Sequence, residues 1–220
     1  VISVNRENCN NPVTVGQPIP GLQIRLGDIE ELQVKGPTVM KGYWKRPDAT
    51  AEVFTEDGWF RTGDQADLSD AGRIRIKGRI KEIIVTSTGE KIPPTDMELA
   101  IQTDPLFEQV MVVGEARPFI TALAVVNEAE WEKFAKEFNV NPSDDRMLMR
   151  RDIRMAALKR LKKAASRFPQ YGIPRNIRLL KEHWTVDNGC LTVTMKLRRP
   201  IIREKLRAEI DELYTVPQNN

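Results

Sequence analysis

The stretch KGRIKEIIVTSTGEKIPPTDME, Lys77–Glu98, divides the chain into two parts of different texture. Before it, short runs such as GLQIRL and ELQVKG alternate apolar and polar residues, which is the pattern of half-buried strands. After it, β-rich runs such as FEQVMVVG and ITALAVVN alternate with amphipathic segments. We therefore predict an α+β protein with a β-rich first domain, residues 1–80, and an α+β second domain, residues 81–220.

Several segments predict helices. RPDATAEVF places Pro47 in a first helical turn, and in PPTDMELAIQT the residues Thr95 and Glu98 have the spacing of a capping box. The basic span Arg146–Arg167 carries apolar residues at helical spacing, so its cations are expected on a solvated face. Two further helices are predicted for EAEWEKFAKEF and REKLRAEIDELY.

Composition excludes several classes of protein. The 220 residues include 34 basic and 31 acidic side chains, and this net charge of +3 is too balanced to indicate nucleic-acid binding. One histidine and two distant cysteines exclude a histidine-cluster metal site, so no metal ligand is assigned. Neither a P-loop nor a GxGxxG fingerprint occurs. No apolar run reaches membrane-spanning length and no signal peptide opens the chain, which predicts a cytoplasmic protein.

Three short motifs carry candidate chemistry. In GWFRTGD, Asp64 can accept hydrogen bonds from a vicinal diol, although a decorated β-turn is the simpler local interpretation. In GRIKE, Arg79 and Lys81 are two residues apart and would share one side of a strand, which alone indicates only an amphipathic strand. In LTVTMK, Lys196 could stabilise a phosphoryl group under attack, yet a lysine in a basic stretch means nothing by itself.

The order and spacing of these motifs, with GPTVMKGYWKRPDAT upstream, resemble the adenylate-forming (AMP-binding) superfamily, most closely its long-chain fatty acid:CoA ligases. The resemblance covers nearly the whole chain. It implies that Asp64 binds the ribose hydroxyls of ATP, that Arg79 contacts the nucleotide and that Lys81 is a hinge. It also implies that the loop with Gly89 lines the channel for coenzyme A and that Lys196 assists catalysis of adenylate formation.

One departure concerns Met195, because many members of the superfamily have glycine just before the lysine. The Leu-Thr-x-Thr-x-Lys form is associated with long-chain enzymes, so the departure favours that subfamily. The implied reaction joins a fatty acid to coenzyme A through acyl-AMP, with ATP and Mg²⁺. The resemblance places the Mg²⁺ ligand, the phosphate-binding loop and the acyl tunnel before residue 1.

The chain is therefore expected to be a carboxyl-terminal fragment that is inactive alone. Two alternatives stay open: a ligase for an acyl carrier protein or another adenylation domain, and a non-catalytic module that binds anions or nucleic acid through the basic helix. The first shares Asp64, Arg79 and Lys196, and the second would show strong, salt-dependent binding to generic nucleic acid. We expect no nucleic-acid partner. The resemblance is compatible with peripheral membrane contact of the longer enzyme.

Overall fold

The computed structural model describes residues 1–215, except for the side chain of Cys9. Residues 216–220 of the predicted second domain lie outside the described residues. The chain divides into two compact units, Val1–Ile83 and a unit that begins at Ile84. Both strands and helices occur, so the predicted α+β class is confirmed.

The first unit is mainly β-structure. Its elements are β1 Ser3–Val4, β2 Gln17–Pro18, β3 Gln23–Leu26, β4 Glu31–Lys35, α1 Pro47–Glu52, β5 Phe60–Asp67 and β6 Arg75–Arg79. Short 3₁₀ turns at Glu7–Cys9, Asp28–Glu30 and Ile80–Glu82 connect them.

A four-stranded antiparallel sheet organises this unit, in the order β3, β4, β5, β6. Its core is small and is formed by Leu32, Val34, Ala66 and Ile74, which come from β4, β5 and the approach to β6. Pro47 occupies the first turn of α1, as predicted, where its missing N–H costs no hydrogen bond. The sheet thus fixes β5 between two partners.

The second unit alternates strands and helices. Its elements are β7 Ile84–Val85, β8 Lys91–Ile92, α2 Pro94–Ile101, β9 Phe107–Val113, β10 Thr121–Val126, α3 Glu128–Glu137, α4 Arg151–Ala164, β11 Asn176–Leu180, α5 Arg199–Lys205 and α6 Arg207–Thr215. Two 3₁₀ turns lie at Asp145–Met149 and Gln170–Gly172.

Strand β10 lies at the centre of a three-stranded sheet, parallel to β11 and antiparallel to β9. All six of its residues are buried. Ala122 and Ala124 face the core that includes residues of α2, α3 and α4, whereas Leu123 and Val125 face a second core that includes residues of α5 and α6. The period-2 alternation of a strand therefore divides the apolar interior into two layers.

Three sequence predictions about helices differ from the structure. Helix α2 begins at Pro94 after Pro93, without a side-chain cap, so the capping box of Thr95 and Glu98 is wrong. The Glu98 carboxylate instead accepts hydrogen bonds from Val112 and Arg199, which are remote in sequence.

The helix in the basic span is shorter than predicted, because a 3₁₀ turn precedes α4 and Arg150 has non-helical backbone angles between them. Its apolar face is nevertheless buried, at Ile153, Ala157, Leu158 and Leu161. The last predicted helix is divided in two at Leu206.

The run IKEIIVT, residues 80–86, is not a continuous strand. It contains a 3₁₀ turn at Ile80–Glu82 and only a two-residue strand, Ile84–Val85. None of the helices within residues 1–215 combines the length and the apolar character that a membrane span needs.

Leu123→Ala should lower the free energy of unfolding by about 3 kcal/mol, because a fully buried leucine leaves both its transfer free energy and a cavity behind. Leu99→Ala is the matched control, since Leu99 is 59% exposed and its loss should change stability by less than about 0.5 kcal/mol. Urea denaturation measures both, and equal losses would contradict the two-layer core.

Candidate functional site

Asp64 and Arg79 form an ion pair across two neighbouring strands. They are directly opposite in the register of β5 and β6, and Nε of Arg79 lies 3.0 Å from Oδ1 of Asp64. The guanidinium also donates from Nη1 to the carbonyl oxygen of Thr62, at 3.1 Å. The side chains are 25% exposed for Asp64 and 53% for Arg79, so both can reach a ligand. The structure therefore brings together the two predicted nucleotide-binding residues.

A bulge in β5 places Asp64 there. Four residue steps on β5, from Arg61 to Gln65, face only two steps on β4, from Glu31 to Gln33. The local interpretation of GWFRTGD as a β-turn is therefore corrected, because the segment Phe60–Asp67 is a continuous strand with an irregular register. Bulges re-aim side chains and often lie beside active sites.

Hydrogen bonds hold the bulge. Gly63 adopts a φ of +71°, a left-handed conformation that glycine accepts at little steric cost. Its N–H donates to Oε1 of buried Glu31 at 3.3 Å, and the Asp64 N–H donates to the Thr62 hydroxyl at 3.1 Å. The Thr62 hydroxyl in turn donates to the Leu32 carbonyl at 2.8 Å. The backbone that carries Asp64 is thus fixed before any ligand arrives.

Lys81 lies in the 3₁₀ turn Ile80–Glu82, directly after β6, and its side chain is exposed. The expectation that Arg79 and Lys81 share one side of a strand is not met, because the strand ends at Arg79. A short turn between a sheet strand and the start of the second unit can absorb changes in φ and ψ.

Gly89 lies in a tight turn, residues 86–90, between β7 and β8. The Thr86 N–H donates to the Glu90 carbonyl at 3.0 Å, and the Glu90 N–H returns to the Thr86 hydroxyl at 3.1 Å. The hydroxyls of Thr86 and Thr88 are 2.8 Å apart. Gly89 itself has a φ of +84°, and no atom lies within 4 Å of where a Cβ would stand.

Lys196 closes a second turn, residues 192–196, that has the same hydrogen bonds. The Thr192 N–H donates to the Lys196 carbonyl at 2.9 Å, and the Lys196 N–H donates to the Thr192 hydroxyl at 3.1 Å. The Thr192 and Thr194 hydroxyls are 3.0 Å apart. Met195 occupies the left-handed position with a φ of +61°, and the Lys196 side chain is exposed.

TSTGE and TVTMK are therefore two copies of one Thr-x-Thr turn within the second unit. The fourth residue is left-handed in both, which is glycine's natural place. Met195 therefore has a conformational cost. It carries a side chain at the left-handed position, where the first turn has a glycine, Gly89. Both turns have the sequence pattern T-x-T-x-[charged]. The hydrogen bonds show that this pattern corresponds to one turn conformation.

Two further residues near these motifs were not found by sequence reasoning. Arg199, three residues after Lys196, forms a bidentate ion pair with Glu98 of α2. Glu31 supports the bulge under Asp64. Neither has a local sequence signal, because each partner is far away along the chain. Among residues 1–215 no group of three or more His, Cys, Asp or Glu side chains could hold a metal ion.

The chain belongs to the AMP-binding enzyme C-terminal domain family, whose model matches residues 81–217. It is 37% identical over 209 residues to a long-chain-fatty-acid–CoA ligase of Mycobacterium tuberculosis, covering 91% of this chain and 34% of that protein. A long-chain-fatty-acid–[acyl-carrier-protein] ligase of Arabidopsis thaliana is 30% identical, with 98% of this chain and 31% of that protein covered.

Solved structures agree with these relatives. The A domain of a carboxylic acid reductase from Segniliparus rugosus, in complex with AMP and a co-purified carboxylic acid, superposes with a TM-score of 0.71 at 26% identity. The match covers 91% of this chain and 32% of that one. The chain spans about a third of the length of the curated relatives it matches.

Met195→Gly should raise the free energy of unfolding by about 0.5 kcal/mol, because relief of left-handed strain exceeds the entropy that a glycine loses on folding. Little packing is lost, since Met195 is 67% exposed. Val193→Gly is the matched control: Val193 is 86% exposed and has no positive φ, so this change should lower stability by a similar amount. Thermal unfolding of both variants gives the signs, and the same sign for both would be inconsistent with strain at residue 195.

Proposed function

We propose that this chain works as the carboxyl-terminal part of an ATP-dependent acid–thiol ligase that activates a long-chain fatty acid and transfers it to coenzyme A. The observation that carries the proposal is the bulge-held pair of Asp64 and Arg79, followed directly by a unit of the AMP-binding enzyme family. The names of the related ligases support the substrate class. We infer that residues 81–220 move as the second domain about Lys81.

Asp64 is the proposed ligand of the ribose hydroxyls of ATP. A carboxylate has two oxygens and about four lone-pair sites, which is the acceptor chemistry that a vicinal diol requires. Arg79 pairs with the carboxylate and orients it, and the other N–H groups of the guanidinium can contact the nucleotide. The AMP complex of the carboxylic acid reductase domain supports an adenine nucleotide as the ligand class.

Lys196 is the proposed electrostatic catalyst of adenylate formation. In this step a fatty carboxylate oxygen bonds to the α-phosphorus of ATP, and the bond to pyrophosphate breaks. The ammonium of Lys196 neutralises charge on the attacked phosphate, and a backbone fixed by the turn 192–196 keeps the lysine oriented. Mg²⁺, whose ligand we expect outside these residues, would neutralise phosphate charge as well.

The second step requires a different arrangement. The sulfur of coenzyme A bonds to the acyl carbonyl carbon, AMP leaves with the bonding electron pair, and the thiol proton passes to solvent. We propose that rotation about Lys81 exchanges the turn with Lys196 for the turn with Gly89, which then lines the pantetheine channel. Separating the half-reactions by a domain motion lets one pocket serve both transition states.

The acceptor has a second candidate. The Arabidopsis relative is named as a ligase for an acyl carrier protein, so a carrier-protein thiol is the alternative acceptor. A comparison of coenzyme A and acyl carrier protein with the same preformed acyl-AMP separates the two.

The anion-binding module has less support, because Arg154 and Arg160 of the basic helix are already bonded to Asn176 and Asp104. A cytoplasmic location agrees with the free buried thiol of Cys190.

The full-length protein should release pyrophosphate from ATP in the presence of a long-chain fatty acid, whereas the isolated 220 residues should not. The reason is that Asp64, Arg79 and Lys196 supply only part of a nucleotide site. Pyrophosphate release and acyl-AMP chromatography measure both proteins side by side. Appreciable acyl-AMP from the isolated chain, or none from the full-length protein, would overturn the proposal.

The two half-reactions should separate by mutation in the full-length protein. Lys196→Ala should slow acyl-AMP formation by about 100-fold, the effect of removing one preorganised charge-stabilising group, with much less effect on thioester formation from preformed acyl-AMP. Lys81→Pro, which fixes φ and removes a donor, should slow mainly the second step. Single-turnover assays of each step decide, and a parallel loss in both steps for Lys196→Ala would remove its assigned role.

A further inference from the structure

A buried bidentate ion pair joins Glu98 of α2 to Arg199, the first residue of α5. Nη1 of Arg199 lies 2.7 Å from Oε1 of Glu98, and Nη2 lies 2.5 Å from Oε2. The side chains are only 7% exposed for Glu98 and 15% for Arg199. Such a fork fixes both the distance and the orientation of its partners, which a single contact does not.

The same carboxylate also holds the edge of the sheet. Oε1 of Glu98 accepts the N–H of Val112 at 2.7 Å. Val112 lies on β9, an outer strand of the three-stranded sheet, so this donor points away from β10. Glu98 therefore connects α2, whose apolar residues pack in one core, to α5, whose Ile202 packs in the other. The pair ties both layers of the unit at one sheet edge.

Lys196 stands three residues before Arg199. Leu191 and Leu197 form a β-bridge at the base of its turn and pack in the second core. Beyond this base the tip is exposed, as the Val193 side chain shows. The base is thus held by apolar packing on one side and by the Arg199 fork on the other. The direction of the Lys196 side chain therefore depends on both the apolar packing and the ion pair.

We propose that the Glu98–Arg199 pair is the positioning element of Lys196 in adenylate formation. The proposal rests on the function given above, and neither residue is assigned contact with substrate. A buried ion pair is weak evidence for stability alone, since well-packed apolar side chains of similar volume often serve as well. The bidentate geometry of the pair fixes the orientation of both partners. Lys196 needs a base that is fixed in this way, because its ammonium lies at the end of four methylenes and must contact one phosphate oxygen.

A second ion pair in the same unit provides a matched control. Arg160 of α4 donates to both oxygens of Asp104, at 2.9 and 2.5 Å, and Asp104 also accepts the Leu106 N–H at 3.0 Å. This pair repeats the carboxylate, guanidinium and backbone donor of the first one. It joins α4 to the turn after α2, and neither of its side chains belongs to the segment around Lys196.

The experiment compares Arg199→Lys with Arg160→Lys in the full-length protein, each with and without Lys196→Ala. Each substitution keeps the positive charge and removes the fork. We expect Arg199→Lys to lower kcat of acyl-AMP formation by about 10- to 100-fold, as a displacement of about 1 Å does, with little change in KM for ATP. Thioester formation from preformed acyl-AMP should stay near wild type, and Arg160→Lys should leave both steps near wild type.

The double variants give the readout that a merely structural role would not change. If Arg199 acts through Lys196, then Arg199→Lys adds no further loss of adenylation in the Lys196→Ala background. Additive losses, equal effects on both half-reactions, or equal effects of the two arginine variants would each overturn the proposal. Should Arg199→Lys not fold, Glu98→Gln is judged by the same criteria, because its amide oxygen still accepts the Val112 N–H.

The controls separate this inference from the proposed function. A wild-type protein that forms no acyl-AMP refutes the proposed function, and the positioning role is refuted with it. An active wild type with an impaired Lys196→Ala variant, but an Arg199→Lys variant that behaves like Arg160→Lys, refutes the positioning role alone. Reduced adenylation by Arg199→Lys that disappears in the Lys196→Ala background supports both.

Discussion

The second unit depends on a strand that is buried on both faces. Strand β10 has no solvent-facing residue, so α2, α3 and α4 cover one side of its sheet while α5, α6 and the segment before them cover the other. The turn with Gly89 leads into α2, and the turn with Lys196 leads into α5. Each of these two turns is therefore attached to a different layer, and the shared sheet fixes the distance between the attachments.

Both turns use the same local chemistry for different ends. A threonine hydroxyl replaces a backbone acceptor for the N–H four residues later, which closes a five-residue loop without a longer strand. The fourth position is then left-handed. At residue 89 glycine meets this requirement at no steric cost, whereas at residue 195 methionine meets it with strain. Backbone strain of this kind persists where the surroundings determine the conformation. At Met195 the strained conformation is held by the hydrogen bonds between the backbone of Lys196 and Thr192.

Local patterns predicted what depends on near neighbours. Alternation in ELQVKG identified β4, the β-rich run ITALAVVN identified β10, and helical spacing around Ile153 identified the buried face of α4. The errors arose where a distant partner decides the outcome. Glu98 has the spacing of a capping box, but its carboxylate bonds the charged guanidinium of Arg199 and the buried N–H of Val112. Together these hydrogen bonds are stronger than one to a backbone N–H at the helix end. The bulge at Gly63 likewise depends on Glu31, which lies on another strand.

The motif residues share a second property, which is access to solvent. Lys81, Gly89 and Lys196 are exposed, and Arg79 is half-exposed beside Asp64. Such groups can present charge to a nucleotide but cannot exclude water from it, and electrostatic stabilisation of phosphoryl transfer is strong only where water is excluded. The proposed catalysis would therefore need further walls around these groups. The chain spans about a third of the length of its relatives, so under the proposed function it would supply groups that orient the nucleotide, and the enclosing walls are expected from the other two-thirds of such an enzyme.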